Sequence, residues 1–381
     1  MILGIVAFIF IFIIIIAAHE AGHLIAAKRA GVRVSTYSIG MGPPVYTFKK
    51  ANPNDPTTTT YQLAAFPLGG YCSIAGMTNL SDDDETPASR RFDHTSLGRR
   101  IWIMSAGIVT NIILGIALIV ILALSTTFPD VSADTSPTIA EVQDGSPAQA
   151  AHLNNYTSAT ITKVGDTDVA TLRDVQQATK KYPNTQITIT VTDDGGTHNI
   201  PVTPRENGTL GVTMVTAEPT ARKAESVPDG LHLAATYTTD LIGRTVYSVV
   251  TLPQKAIPAF QAITGHVPRS DDSPVSIIGA SRISGEVAQA QAWTSFLLMA
   301  ANVSIFLGLF NLVPITPLDG GHILINCIGH IRKRKRGEAD APGIGVDYRK
   351  FTWVTLVAAG LLLGFGILIL VADIVAPIST H

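Results

Sequence analysis

The chain has 381 residues, of which 46% are hydrophobic and only 15% are charged. Soluble domains usually carry about 25% charged residues, so this composition argues against an ordinary soluble protein. The net charge of −2 gives no reason to expect a nucleic-acid partner, and two cysteines that are far apart in sequence, Cys72 and Cys327, predict no disulfide framework.

Four apolar segments are long enough to cross a membrane, since about 20 apolar residues span ~30 Å of hydrocarbon. We predict membrane helices at residues 2–27, 101–124, 292–313 and 352–374. The first segment lacks a basic start and a small-x-small cleavage site, so we interpret it as part of the mature protein rather than a signal peptide. The predicted fold is therefore a polytopic α-helical membrane protein.

The first apolar segment ends in a pattern typical of metal binding. His19-Glu20-Ala21-Gly22-His23 has the form H-E-x-x-H, and positions i and i+4 of a helix share one face. Zinc binds neutral imidazoles, and a catalytic site combines three protein ligands with one open water position. Glu20 is placed to take a proton from that water. The alternative is a helix end with polar residues at the interface, but ionisable residues within membrane segments usually mark function.

Basic residues predict the orientation, because short loops rich in Lys and Arg stay in the cytoplasm. Such residues are frequent within residues 28–100 and in the run 332–336. We therefore place both loops in the cytoplasm, with the long segment 125–291 and both termini outside. The active site is then expected toward the cytoplasmic side.

Residues 137–215 predict a small α+β domain outside the membrane. Strand-like runs occur at 138–142, 160–164, 186–192 and 197–202, and a helix is expected at 172–182 with Thr171 as its N-cap. The run Gly145-Ser146-Pro147-Ala148 resembles the corresponding run of PDZ domains, although His152 replaces the usual glycine. PDZ domains bind peptides by strand addition, whereas the alternative is a spacer without a ligand. For residues 228–291 we predict helices on the outer membrane surface.

A third metal ligand must come from another helix. Asp373 is expected at the outer end of the fourth apolar segment, whereas the H-E-x-x-H motif is near the cytoplasmic end of the first. The two would therefore lie at different depths in the membrane. Asp319 follows the third apolar segment, after Pro314 and Pro317, which interrupt a helix and allow the chain to turn back. His322 is a second candidate. Asp319 is preferred because two adjacent glycines allow close approach.

Together these residues resemble the site-two protease family of intramembrane zinc metalloproteases, in particular its bacterial branch that releases sigma factors. That family pairs H-E-x-x-H with a later N-x-x-P-x-P-x-L-D-G segment, and Asn311, Pro314, Leu318, Asp319 and Gly320 match it here. Thr316 stands where the second proline is common. The resemblance implies one Zn²⁺ per chain, held by His19, His23 and Asp319, with Glu20 as the catalytic residue.

Further stretches resemble the same family. Those around Gly40 and Gly42 and around Gly69 and Gly70 resemble its β-hairpin and re-entrant loop, which the resemblance places beside the active site in contact with an extended substrate. Asn311 is expected to help hold that substrate, or alternatively to form a hydrogen bond between helices. Residues 106–111 resemble the A-G-P-x-x-N motif of the second helix, with Ile108 in place of proline. Residues 273–277 resemble a G-P-x-x-I segment.

The resemblance implies a protease of the bacterial plasma membrane. Its expected substrates are single-pass membrane proteins, such as anti-sigma factors whose outer part has already been trimmed, and its other partner is the lipid bilayer. The outer domain is expected to act as a size filter or a docking site. Two other classes remain: a zinc transporter that uses the same ligands, and a scaffold without catalysis in which Glu20 is dispensable.

Overall fold

The structure is a computed structural model that describes residues 2–52, 55–77, 86–131, 136–193, 195–216, 220–255, 293–338, 343–346 and 348–375, with isolated positions between 257 and 264. It divides into two compact units. One combines Met1–Leu122 with Leu241–His381, and the other is Ala123–Asp240. The predicted G-P-x-x-I segment at 273–277 and the end of the predicted surface segment lie outside the described residues.

The described helices are α1 (Ile2–Arg29), α2 (Leu97–Ser125), α3 (Pro147–Ala150), α4 (Leu172–Thr179), α5 (Val227–Thr251), α6 (Trp293–Asn311), α7 (Asp319–Lys335) and α8 (Tyr348–Val375). The strands are β1 (Val34–Asn52), β2 (Asp55–Ile74), β3 (Thr127–Asp130), β4 (Pro137–Val142), β5 (Thr160–Val164), β6 (Thr167–Asp168), β7 (Ile187–Asp193), β8 (Gly196–Val202), β9 (Val212–Thr216) and β10 (Thr220–Lys223).

In the part of the chain that the structure describes, four helices are long and apolar enough to cross a membrane: α1, α2, α6 and α8. Helix α6 ends at Asn311, and a separate helix, α7, begins at Asp319. The turn between them contains Pro314 and Pro317, which lack the N–H that a continuous helix would need. The predicted membrane helix 292–313 therefore corresponds to α6, and the chain between α6 and α7 is an irregular turn.

Residues 36–39 of β1 have a segment of β2 on each side. On one side they align antiparallel with residues 70–73, and on the other they align in the same chain direction with residues 60–63. The outer part of β1, residues 44–50, aligns with residues 59–64. The stretches that resemble a hairpin and a re-entrant loop therefore belong to one sheet. Among the described residues, 70–73 have a strand partner on one side only, so they form an edge.

The hydrophobic core of the first unit joins this sheet to the helices. Phe92, Ile103 and Ala27 are fully buried, and they pack with Ile74 of β2 and Ile325 of α7. Outside the lipid, burial of such apolar side chains is the main source of folding stability. This core lies immediately next to the end of α1 that carries H-E-x-x-H.

The second unit contains a sheet of order β8-β7-β5-β4-β9, with β6 paired to β5. Helix α4 begins with a capping box in which the Thr171 hydroxyl accepts from the Asp174 N–H and the Asp174 carboxylate accepts from the Thr171 N–H. The helix ends at Thr179, earlier than the predicted Tyr182. A two-stranded sheet of β3 and β10 lies where the chain enters and leaves this region. A PDZ-like fold for it remains a prediction.

Candidate metal centre

Two histidines of α1 and the first residue of α7 converge in the first unit. His19 Nε2 lies 3.1 Å and His23 Nε2 lies 3.2 Å from Asp319 Oδ2, and the two Nε2 atoms are 3.3 Å apart. Both imidazoles are buried. Among the described residues, this trio is the group of His, Cys, Asp and Glu side chains whose geometry could hold a metal ion.

Helix α2 positions the imidazoles. His23 Nδ1 donates a hydrogen bond to the Ile103 carbonyl oxygen at 2.8 Å. A methyl group added to Gly107 would lie 2.8 Å from His19 Nε2 and closer still to His23 Nε2, so this glycine leaves room for both rings. Gly22 allows α1 and α2 to approach in the same way, because a methyl group there would overlap the Ala106 carbonyl oxygen.

The turn before α7 positions Asp319. Added methyl groups at Gly320 and Gly321 would overlap the backbone of Leu312 and of Thr316, so both positions require glycine for the chain to fold back on itself. Thr316 is buried, and its hydroxyl accepts a hydrogen bond of 2.9 Å from Thr355 of α8. The residue that departs from the N-x-x-P-x-P-x-L-D-G pattern therefore connects the turn to the fourth membrane helix.

The geometry of the trio fits zinc. Ligand atoms held at about 2.0–2.1 Å in a tetrahedral arrangement are about 3.3 Å from one another, close to the 3.1, 3.2 and 3.3 Å found here. Asp319 Oδ2 is buried and accepts no hydrogen bond among the described residues. Two imidazoles and a carboxylate also form a donor set that zinc prefers, and three protein ligands leave a position open for water.

A cavity of about 320 Å³ opens beside the trio. Its lining consists of Phe12, Ile16, His19, Glu20, Gly69, Gly70, Leu307, Asn311, Pro317 and Asp319. The candidate residues Glu20, Gly69, Gly70 and Asn311 are thus brought to the same space as two of the candidate ligands. A methyl group on Gly70 would lie 3.0 Å from Glu20 Cγ, so the edge formed by residues 70–73 runs directly past the Glu20 side chain.

Two of the candidate substrate-binding residues lie outside this cavity. Gly40 and Gly42 do not line this cavity but belong to β1, where both have positive φ and pack against Phe66. Both lie where the register of β1 shifts, and backbone with φ near +90° is open mainly to glycine. A role for them in substrate contact stays a prediction. The rival ligand His322 is not part of the trio. Asp373, in α8, is also outside it.

The structure brings in residues that the sequence did not single out. The Tyr37 hydroxyl of β1 donates to the Ala17 carbonyl oxygen of α1 at 2.8 Å, and Lys28 Nζ donates to the Tyr61 hydroxyl at 3.0 Å. Burial raises the pKa of Tyr37 to about 12, so its hydroxyl remains a donor at neutral pH. These bonds hold the sheet against the helix that carries His19 and Glu20. No local sequence pattern predicts these two hydrogen bonds.

Comparison with known proteins agrees with this geometry. The sequence profile of peptidase family M50 matches residues 7–346. The chain belongs to peptidase family M50. It is 30% identical to the zinc metalloprotease Rip1 of Mycolicibacterium smegmatis over 99% of this chain and 98% of that protein, and 30% identical to Rip1 of Mycobacterium tuberculosis over 98% of each. It is 26% identical to the zinc metalloprotease RasP of Oceanobacillus iheyensis over 84% of this chain and 89% of that protein.

Membership in this family, the site-two proteases, makes the chain a membrane-integral zinc metalloprotease. It confirms the family predicted from H-E-x-x-H and the later L-D-G, and it confirms that Zn²⁺ is the cofactor. Four apolar helices in the described part of the chain agree with a polytopic membrane protein.

Proposed function

We propose that this chain is an endopeptidase that cuts single-pass membrane proteins within their transmembrane segments, as a step of regulated proteolysis that releases factors such as sigma factors. The observation that carries the proposal is the meeting of His19, His23 and Asp319 beside Glu20 in one cavity. A protease that acts within a membrane needs its catalytic group and its metal ligands in the membrane-spanning part of the fold.

His19, His23 and Asp319 would hold the zinc ion, and its bound water would have a pKa lowered toward about 7. The Ile103 carbonyl oxygen fixes His23 with a proton on Nδ1, which leaves the lone pair of Nε2 free for a metal. Glu20, which lines the cavity, takes a proton from water and returns it to the leaving amine. Apolar residues such as Phe12 and Leu307 limit the amount of water at the site.

The substrate must be extended to be cut, because backbone hydrogen bonds shield the peptide bonds of a helix. The edge at residues 70–73 offers backbone groups to a strand added beside the cavity. Gly70 keeps this edge free of a side chain where it passes Glu20. Asn311 lines the same cavity and supplies an amide that can hold the added strand.

We further propose that both termini and the second unit face outside, and that the metal centre lies toward the cytoplasm. The basic run at the end of α7 supports this orientation. In the second unit, a cavity of about 560 Å³ runs along β9 and α4. Strand β9 ends its sheet, so it could receive an added peptide strand. This region would dock or exclude outer domains, so that only trimmed substrates such as cleaved anti-sigma factors reach the cavity.

The experiment compares wild-type protein with Glu20→Gln in proteoliposomes that contain tagged single-pass proteins, each prepared with its outer domain intact and removed. Glu20→Gln preserves the shape of the side chain but removes the base. We expect cleavage of trimmed substrates by the wild type, a loss of at least about 100-fold in the variant, and equal zinc content in both. Products are mapped by mass spectrometry to locate the bond.

Equal cleavage by both proteins would exclude Glu20 as the base. Cleavage outside the transmembrane segment would contradict the intramembrane site. A transporter is tested with the same vesicles: it predicts zinc uptake in the wild type and in Glu20→Gln, whereas the protease predicts uptake in neither.

A further inference from the structure

A buried polar connection joins the start of α2 to the middle of α7. Arg100, in the first turn of α2, is 6% exposed, and Asn326 of α7 is 1% exposed. Arg100 Nη1 donates to Asn326 Oδ1 at 3.2 Å, while Arg100 Nε donates to the Thr95 carbonyl oxygen at 3.1 Å. Asn326 Nδ2 donates to the His322 carbonyl oxygen at 2.8 Å. Burying a charged group costs free energy unless the group is hydrogen-bonded. The Arg100 side chain is therefore held in the orientation in which it makes these bonds.

Asn326 shares a face of its helix with Asp319. Positions i and i+7 are two turns apart on one side of a helix. Asp319 is the first residue of α7, so the position of its carboxylate along the helix axis depends on where α7 is held. The two glycines hold the start of α7 against the preceding turn, and the bond from Arg100 to Asn326 holds the helix against α2 two turns further along.

Helix α2 also holds the imidazoles. Its Ile103 carbonyl oxygen accepts from His23 Nδ1, and its Gly107 packs against both rings. Arg100, Ile103 and Gly107 follow one another at spacings of three and four residues, so they lie along one face of α2. On that face, Ile103 and Gly107 contact the two histidines, and Arg100, nearer the start of α2, contacts Asn326.

We propose that Arg100 and Asn326 are positioning residues for the metal centre. Their bond fixes α7 to the same helix that fixes the imidazoles, and so holds Asp319 Oδ2 at nearly equal distances from His19 and His23. Metal sites require ligands within about 0.5 Å of the productive geometry, and loss of outer-shell partners typically costs 10- to 100-fold in metal affinity. The proposal rests on the proposed zinc site but concerns residues outside it.

The test measures zinc affinity by competition with a chromophoric chelator on the purified full chain. Arg100→Met and Asn326→Leu are expected to lower affinity about tenfold, and the double variant no further, because both remove the same connection. Asn326→Asp is the conservative variant, since its carboxylate still accepts from Arg100 and only the bond to the His322 carbonyl oxygen within α7 is lost. It is expected to keep affinity within about twofold of the wild type. The control is Lys333→Met, which removes the bond from buried Lys333 to the Gly343 carbonyl oxygen further along α7, and should change affinity less than twofold.

Cobalt substitution provides a readout that general destabilisation does not change. The visible absorption of bound Co²⁺ reports ligand geometry, and we expect it to shift in Arg100→Met and Asn326→Leu but not in Asn326→Asp or Lys333→Met. Wild-type affinities and spectra in Arg100→Met and Asn326→Leu, with only a lower Tm, would overturn the proposal. A His19→Ala variant tests the zinc site separately: unchanged zinc affinity there would refute the proposed site itself, whatever the other variants do.

Discussion

His23 donates from Nδ1 to the carbonyl oxygen of Ile103 at 2.8 Å, which ties the helix of the H-E-x-x-H motif to α2. A carbonyl oxygen only accepts, so the proton of the neutral ring is on Nδ1. The lone pair of Nε2 then points toward His19 and Asp319. This is the arrangement in which metal-binding histidines are usually oriented by a second hydrogen bond.

Asp319 and His322, the two candidates for the third ligand, can be distinguished by substitution. Asp319→Ala should lower zinc affinity by more than the 10- to 100-fold typical of an outer-shell partner, because Asp319 Oδ2 lies within 3.2 Å of both imidazole nitrogens. His322→Ala should retain one zinc per chain. Zinc is measured by elemental analysis after dialysis against a chelator. Retained zinc in Asp319→Ala together with lost zinc in His322→Ala would reverse the assignment.

Gly70 provides a test of the substrate edge. In Gly70→Val, the new Cβ would lie 2.8 Å from the Ser38 carbonyl oxygen and 3.0 Å from Glu20 Cγ, tighter than ordinary van der Waals contact. We expect the rate of cleavage to fall at least about tenfold while zinc content stays unchanged, because the substitution moves Glu20 and the edge but not the ligands. The measurement is kcat and KM on a trimmed substrate.

The control for Gly70→Val is Gly98→Ala, since an added methyl group at Gly98 of α2 meets no atom within 4 Å. Cleavage by Gly98→Ala should equal that of the wild type. If Gly70→Val cut at the wild-type rate, the edge at residues 70–73 would have no part in holding the substrate.

Gly107 tests the packing of α2 on the imidazoles. Gly→Ala within a helix normally stabilises by about 1 kcal/mol. At Gly107, however, the methyl group would overlap both histidine rings. Gly107→Ala should therefore lower zinc affinity and Tm together, whereas Gly364→Ala in α8, where a methyl group meets open space, should lower neither. Unchanged zinc affinity in Gly107→Ala, measured with the same chelator, would show that the rings are free to move aside.

The local parts of the site follow from the sequence because they depend on short-range periodicity. The i, i+4 spacing places His19 and His23 on one face, and two prolines end the helix before Asp319. The long apolar segments likewise predict α1, α2, α6 and α8, with ends that differ by a few residues. A segment that crosses lipid must satisfy its own backbone hydrogen bonds, so a long apolar run is enough to predict a helix there.

The contacts between distant segments could not be predicted in this way. The double pairing of residues 36–39 depends on how β1 and β2 bend, and neither bend has a periodic signature. The bonds from Arg100 to Asn326 and from Tyr37 to Ala17 join segments far apart in sequence, and single polar residues in apolar surroundings do not reveal their partners. For the same reason the sequence does not reveal that Gly40 and Gly42 lie at register shifts of β1, and a role for them in substrate contact stays a prediction.

An ion-pair cluster in the second unit predicts a dependence on pH. Arg222 of β10 donates through Nη1 and Nη2 to both carboxylate oxygens of Asp229 in α5, at 2.7 and 2.9 Å, and through Nε to Asp130 of β3 at 2.7 Å. The hydrogen bonds from Arg222, followed by that from the Glu225 N–H, lower the pKa of Asp229 to about 2. Bidentate pairs of this kind also impose a specific orientation on the two partners.

Because the pKa of Asp229 in the folded chain is below its ordinary value of 3.8, its contribution to stability is fully present above about pH 4 and is lost as the pH falls through about 2. Asp229→Asn should reproduce that loss at pH 7. Hydrogen exchange of residues 220–223 and 127–130, corrected for the intrinsic effect of pH, should become several-fold faster in Asp229→Asn. The matched control is Glu225→Gln, which removes a nearby negative charge but keeps the backbone N–H that bonds Asp229. Equal exchange in Asp229→Asn, Glu225→Gln and wild type would mean that backbone pairing between β3 and β10 holds this two-stranded sheet without the arginine.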